Sequence, residues 1–137
     1  MSQNLTEAFK KTSNVLDALE IMLLEPMQKN RGNIDACIHR FEFVIELFWK
    51  LLKLILASQG REVYYPKDVL QEAYAGHLID NETLWLQMLK DRNQRSHTYD
   101  EELADKIYTH IKVYFPELKK TYLRLYEQYP SNEEPLA

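Results

Sequence analysis

The apolar residues of this chain recur at intervals of three and four positions, the spacing that places side chains on one face of an α-helix. The first such segment predicts a helix from about Asn4 to Leu24. Glu25-Pro26 ends it, because the residue before a proline is pushed out of helical backbone angles. The apolar stripe of this helix consists of Leu5, Phe9, Leu16, Leu19 and Leu23.

The second helix is predicted to be the core element, with Asn33 as its N-cap and its end near Gly60. One wide apolar face comprises Ile34, Cys37, Ile38, Phe41, Val44, Ile45, Phe48, Leu51, Leu52 and Ile55. A second apolar face comprises Phe43, Leu47 and Leu54. A helix that is apolar on two sides lies at the centre of a bundle, or another chain covers one of its faces. This pattern is the first indication of an oligomer.

Two shorter helices are predicted next. The third spans Lys67 to Tyr74, with Pro66 as its first helical residue and Gly76 as its stop. The fourth begins with Asp80 as N-cap and carries Leu84, Trp85, Met88 and Leu89. A polar segment, residues 90–101, then leads to the last helix.

The fifth helix is predicted to begin after Thr98, where Thr98 and Glu101 have the spacing of a capping box. Pro116 is expected to kink or break it. Its stripe continues through Leu103, Ile107, Ile111, Tyr114, Leu118, Tyr122, Leu125 and Tyr129. The predicted fold is therefore an all-α, up-and-down bundle of about five helices. Residues 1–129 are expected to form one domain, and 130–137 a disordered tail.

Composition narrows the function classes. Only 3 of 137 residues are glycine, which disfavours hairpin-rich folds and Gly-rich phosphate loops. A net charge of −4 is unlike a dedicated DNA-binding domain, so no DNA partner is expected. One cysteine, Cys37, allows no intrachain disulfide and suits the cytoplasm. The N-terminus lacks an apolar signal core, and the apolar stretch Phe41–Ala57 carries four charges, so no membrane association is expected.

Candidate chemistry is concentrated in the polar segment 90–101. The four histidines are scattered, and no Cys/His cluster has zinc spacing, so no metal is expected. His39 and His110 are interpreted as solvated or partly packed. Arg92 falls four residues after Met88, on the apolar face of the fourth helix. There it must find an anion or carbonyl groups, because an unpaired buried charge is costly.

His97 follows Arg92 by five residues, about 140° around a continuous helix. A site that uses both requires the helix to end between them, or a second copy of the chain. Arginine binding phosphate and histidine transferring a proton would suit metal-free RNA cleavage. The structural alternative is that cations in the last turn complement the helix dipole, while Thr98, Asp100 and Glu101 cap the next helix. The residues alone leave both interpretations open.

The string Arg92-Asn93-x-x-x-His97-x-Tyr99 resembles the R-x4-H-x-Y signature of HEPN-domain proteins. Most of the chain is similar to the helical partners of minimal nucleotidyltransferases, which are described as nucleotidyltransferase substrate-binding proteins. The resemblance implies a helical bundle that forms a homodimer. It also implies a metal-independent ribonuclease toxin, whose partner nucleotidyltransferase transfers AMP from ATP to the signature tyrosine and so blocks the RNA cleft.

Carried to this chain, the resemblance makes Arg92 and His97 catalytic, with Asn93 orienting them. It makes Tyr99 the acceptor of AMP. No resident cofactor is implied. The residues themselves suggest that Arg95 and Lys90 assist anion binding. The acidic neighbours Asp91, Asp100, Glu101 and Glu102 count against strong RNA binding.

Two other functions are weighed beside the ribonuclease. One is a non-enzymatic subunit that presents a substrate or nucleotide to the partner nucleotidyltransferase. The other is a plain scaffold, in which Arg92 and His97 affect stability alone. Five tyrosines at helical spacing are interpreted as core or interface residues rather than base-stacking groups: Tyr108, Tyr114, Tyr122, Tyr126 and Tyr129. The roles of Tyr64 and Tyr65 are open.

Overall fold

A computed structural model describes residues 2–25, 31–94 and 100–129. The described residues form five helices and no strand: α1 (Ser2–Leu24), α2 (Gly32–Ser58), α3 (Pro66–Ala75), α4 (Glu82–Arg92) and α5 (Glu101–Gln128). The predicted all-α bundle is therefore confirmed. The tail 130–137, predicted to be disordered, lies outside the described residues.

Helix α2 is the centre of the bundle, as its apolar pattern predicted. It packs against each of the other four helices. All ten residues of the wide apolar face are buried. The second apolar face is only partly covered: Phe43 is 50% exposed, whereas Leu47 and Leu54 are half-buried. Leu47 and Leu54 line an open depression against α1.

Three helix starts differ from the predictions. Helix α2 begins at Gly32 after Arg31, so Asn33 is not its N-cap. The N-cap of α4 is Asn81 rather than Asp80. The N-cap of α5 is Asp100 rather than Thr98, which lies outside the described residues. The capping oxygens of Asn81 and Asp100 accept from the backbone N–H groups three residues further on, at 3.1 and 3.0 Å. That geometry, rather than residue type alone, selects the cap.

Two helices end in Schellman motifs. After α2, Gly60 has a φ of 81°, and the next N–H reaches back to the Leu56 carbonyl at 2.9 Å. After α3, the left-handed residue is His77, with a φ of 63°, whereas Gly76 keeps a φ of −91°. The prediction that α3 ends at Gly76 is therefore confirmed. The strained conformation, however, falls on the histidine one residue later.

Helix α5 runs unbroken through Pro116, so of the two predicted outcomes, a kink or a break, the break does not occur. The proline is exposed. Its missing N–H leaves one carbonyl without a helical donor on the solvent side. Tyr108, Tyr114 and Tyr122 are buried, which confirms their interpretation as core residues. Tyr126 remains 47% exposed at the edge of the α1–α5 contact, where it packs against Phe9.

Candidate functional site

Helix α4 ends at the first residue of the motif. Arg92 is its last residue and Asn93 is the C-cap. The Asn93 N–H donates to the carbonyls of Leu89 and Lys90, both at 3.1 Å. The helix therefore ends before position 95 in the described part of the chain. His97, Arg95 and Tyr99 lie outside the described residues, so their predicted roles remain predictions.

Arg92 finds the anion that its position on the apolar face required. Its side chain is only 16% exposed, and its guanidinium forms an ion pair with Glu46 of α2. The guanidinium also donates to the side-chain oxygen of Asn93 at 2.8 Å. This hydrogen bond joins the first two residues of the motif, and the predicted roles of Arg92 and Asn93 in catalysis remain predictions. An arginine with two fixed partners on two helices presents its charge in a defined direction.

The Glu46 carboxylate has two further partners besides Arg92. Lys50 lies 2.9 Å from its second oxygen, and the Trp49 indole donates to the first at 3.4 Å. Burial opposes ionisation of this carboxyl group, but the hydrogen bond from Lys50 and the charges of Arg92 and Lys50 outweigh it and lower the pKa of Glu46. Glu46 is therefore an anion at neutral pH. Sequence reasoning missed it, because nothing in the sequence links residues 46 positions apart.

Asp91, the residue before Arg92, is directed into the core. It is 5% exposed and accepts hydrogen bonds from Tyr114 at 2.5 Å and from Gln87 at 3.3 Å. The ring nitrogen Nδ1 of His110 lies 2.8 Å from the same carboxylate. Burial, together with the Asp91 carboxylate, raises the pKa of Tyr114. The Asp91 carboxylate is therefore enclosed between α4 and α5 rather than exposed beside the motif, and its predicted effect on RNA binding remains a prediction.

The remaining acids of the motif region lie at the start of α5. Asp100 caps that helix, and Glu101 lies 3.9 Å from Arg31. Arg31 also pairs with Asp105 at 2.6 Å. Glu102 is exposed, as its predicted effect on RNA binding requires.

Lys90 lies on the exposed side of α4, beside a residue that sequence reasoning did not single out. Lys67 of α3 and Lys90 line one open depression of about 470 Å³, together with Asn93 and Gln94. The depression includes Gln94, the last described residue before position 95, and Asn93 connects it to Arg92. Two ammonium groups on one rim suit an anionic ligand. Lys67 had no sequence signal, since only the packing of α3 against α4 brings it there.

The described part of the chain contains neither a metal-binding group nor a membrane-spanning helix. Within it, no three His, Cys, Asp or Glu side chains come together as a metal-binding group. None of its helices combines the length and hydropathy needed to cross a bilayer.

Comparison with solved structures supports the fold and a relationship in sequence. A Thermus thermophilus protein superposes with a TM-score of 0.76 at 31% identity, covering 83% of this chain and 98% of that one. A Haemophilus influenzae protein superposes with a TM-score of 0.64 at 28% identity, covering 91% of this chain and 98% of that one. The latter structure is described as the fold of a substrate binding domain of a nucleotidyltransferase.

Sequence comparison also supports this relationship. The probable ribonuclease HepT of Haemophilus influenzae is 37% identical over 83 residues. The match spans 57% of this chain and 57% of that relative, little more than half of its length. The family model described as nucleotidyltransferase substrate binding protein like matches residues 2–127, nearly the whole chain. This chain therefore belongs to the nucleotidyltransferase substrate binding protein-like family, as its R-x4-H-x-Y motif indicated.

Proposed function

We propose that this protein is a HEPN-type toxin, a metal-independent endoribonuclease that acts as a homodimer and is inhibited by a partner nucleotidyltransferase. One observation carries the proposal: Arg92 is held at the last position of α4 by Glu46 and Asn93. The relative named probable ribonuclease HepT supports the same activity.

The proposed reaction uses the RNA's own 2′-hydroxyl as nucleophile. His97 takes the proton of that hydroxyl, and the 2′-oxygen attacks the neighbouring phosphorus. The bond to the 5′-oxygen breaks, and that oxygen takes a proton from His97 of the second copy. The products are a 2′,3′-cyclic phosphate and a 5′-hydroxyl. Arg92 stabilises the negative charge of the pentavalent phosphorus, since a guanidinium has five N–H donors and Glu46 and Asn93 do not use them all.

The proposed reaction needs two histidines, one as base and one as acid, and the motif of each chain supplies only one. Two copies of the chain must therefore combine. The partly covered face of α2, with Phe43 half exposed, provides apolar surface for a second copy. Inhibition follows from the added charge and bulk, because AMP attached to Tyr99 would bring a negative phosphate and a base to the motif and repel RNA. Lys67 and Lys90, which line one open depression with Asn93 and Gln94, would offer two cations to such a phosphate.

The nuclease is tested with the full chain, a structured RNA and EDTA throughout. We expect cleavage with cyclic phosphate ends, and a loss of at least ~100-fold in His97→Ala, the scale of general acid–base catalysis. His77→Asn is the matched control, since His77 lies at the far end of α3 and asparagine tolerates its left-handed backbone. Cleavage that persists in pure His97→Ala protein would contradict the proposal.

The inhibition is tested by intact mass after co-expression with the partner nucleotidyltransferase. We expect a gain of whole AMP units that disappears in Tyr99→Phe and persists in Tyr74→Phe. The alternative is a non-enzymatic subunit that presents a substrate or nucleotide to the nucleotidyltransferase. The similarity to the Haemophilus influenzae substrate binding domain favours this alternative. A stable complex with neither mass gain nor RNA cleavage would support it.

A further inference from the structure

A buried carboxylate, that of Asp91, fixes the ring of His110 on α5. The ring nitrogen Nδ1 of His110 lies 2.8 Å from this carboxylate, and the centre of the ring lies 5.9 Å from that of Tyr114. The Tyr114 hydroxyl donates to the same carboxylate oxygen. Two contacts therefore set the orientation of an imidazole that the proposed cleavage reaction does not use.

These contacts decide which ring nitrogen of His110 is available. An ionised carboxylate can only accept hydrogen bonds, so the Nδ1 atom that faces Asp91 carries the hydrogen. In the neutral ring the lone pair then belongs to Nε2. Within the described part of the chain, no group forms a hydrogen bond with Nε2.

The edge of the ring that carries Nε2 faces outward. The His110 side chain is 31% exposed, whereas Asp91 is 5% exposed. Since Nδ1 faces the buried carboxylate, the exposed part of the ring is the opposite edge. His39 is different, because its ring packs against Phe43 and pairs with no carboxylate among the described residues.

An exposed nitrogen nucleophile with a buried carboxylate behind it suits attack on phosphorus, because the carboxylate holds the tautomer and balances the charge that develops on the ring. In the proposed system, the nucleotidyltransferase already transfers AMP to Tyr99, the residue before the N-cap Asp100. His110 lies on the same helix, about 15 Å further along. Lys106, exposed one turn before His110, adds a positive charge for the phosphate.

We propose that Nε2 of His110 is a second acceptor of AMP from the partner nucleotidyltransferase. The inference rests on the proposed function and adds a modification site to it. Nε2 attacks the α-phosphorus of ATP and a P–N bond forms. The bond from that phosphorus to the bridging oxygen breaks, and pyrophosphate leaves with the electron pair. Nδ1 keeps its hydrogen, and the Asp91 carboxylate balances the positive charge of the modified ring.

The test uses acid, because a P–N bond breaks once its nitrogen is protonated, whereas the phosphodiester on a tyrosine survives. Full-length Tyr99→Phe protein is incubated with the partner nucleotidyltransferase and ATP radiolabelled at the α-phosphorus, then separated on a denaturing gel at neutral pH. We expect label that acid removes. A mass measured in acid records the tyrosine adduct alone.

Three further variants, each made in the Tyr99→Phe chain, assign the label. His110→Gln should remove it, and His39→Gln is the matched control that should keep it. Asp91→Asn should lower it at least ~tenfold, because an amide that donates to Nδ1 leaves the hydrogen on Nε2. Urea unfolding of each variant checks that the bundle has formed.

The outcomes separate this site from the proposed function. Acid-stable label in wild type with none in Tyr99→Phe would overturn the histidine site and leave the tyrosine site intact. Label that remains when His110→Gln is added would also overturn the histidine site. Equal labelling with and without Asp91→Asn would overturn the part assigned to the carboxylate. Acid-labile label alone in wild type would support His110 and overturn Tyr99 as acceptor.

Discussion

The Tyr114 hydroxyl of α5 lies 2.5 Å from the carboxylate of Asp91, the residue directly before Arg92 in α4. Arg92 itself forms an ion pair with Glu46 of α2. Two consecutive residues thus attach the end of α4 to two different helices. The orientation of Arg92 is therefore set by the core of the bundle.

Tyr114→Phe is expected to lower the free energy of unfolding by about 1–2 kcal/mol at pH 7, because a buried hydrogen bond to a carboxylate is lost. The difference in the free energy of unfolding between wild type and the variant should decrease above about pH 10. The pKa of Tyr114 is raised on folding, so the unfolded state releases its proton first and wild-type stability falls as pH rises. Phenylalanine has no such proton to lose.

Urea unfolding at pH 7 and pH 10.5 measures this difference, which we expect to fall by about 1 kcal/mol. Tyr74→Phe serves as control, since Tyr74 is a 43%-exposed tyrosine outside the core. An equal difference between wild type and Tyr114→Phe at both pH values would contradict the prediction.

The Arg92–Glu46 pair should show a coupling free energy of about 1 kcal/mol in a double-mutant cycle of Arg92→Gln and Glu46→Gln. The pKa of Glu46 is lowered on folding, so its contribution is complete above the ordinary glutamate pKa and disappears as pH falls through the folded value. We expect the coupling free energy to be present at pH 7 and to decrease as the pH falls below the ordinary glutamate pKa. Additive effects at pH 7 would show that the pair does not position Arg92.

The two left-handed helix ends should respond in opposite directions to substitution. His77→Gly is expected to stabilise the protein by about 1 kcal/mol, because glycine adopts the observed φ of 63° without a Cβ clash. Gly60→Ala should destabilise it by a similar amount through backbone strain alone, since an added Cβ would meet nothing within 4 Å. Thermal unfolding of the two variants compares them directly, and a shift of the same sign in both would contradict this account.

Cys37 should react with thiol reagents only when the bundle opens. Its side chain is 1% exposed, and burial raises the pKa of its thiol. We expect labelling by a disulfide reagent to be slow in native buffer and complete in urea. Labelling as fast as that of free cysteine in native buffer would show that α2 is not enclosed as described.

Much of the fold could be predicted because it depends on local patterns. The ten-residue apolar face of α2 is long and regular enough to identify the central helix, and all ten residues are buried. Cap positions were less predictable, since Asp80 and Asn81 are both suitable caps and only backbone geometry selects Asn81. The left-handed His77 was also missed, because glycine at the preceding position is the usual choice for that conformation.

The sequence by itself determined the helical class, the central helix, the motif from Arg92 to Tyr99, and the requirement that Arg92 have a partner. Only the tertiary structure decided that the partner is Glu46, that Asp91 is directed into the core, and that Lys67 lies beside Lys90. The physical reason is the distance along the chain over which each kind of interaction acts. Periodicity and helix ends depend on neighbours within a few residues, whereas ion pairs between helices depend on how the whole core packs.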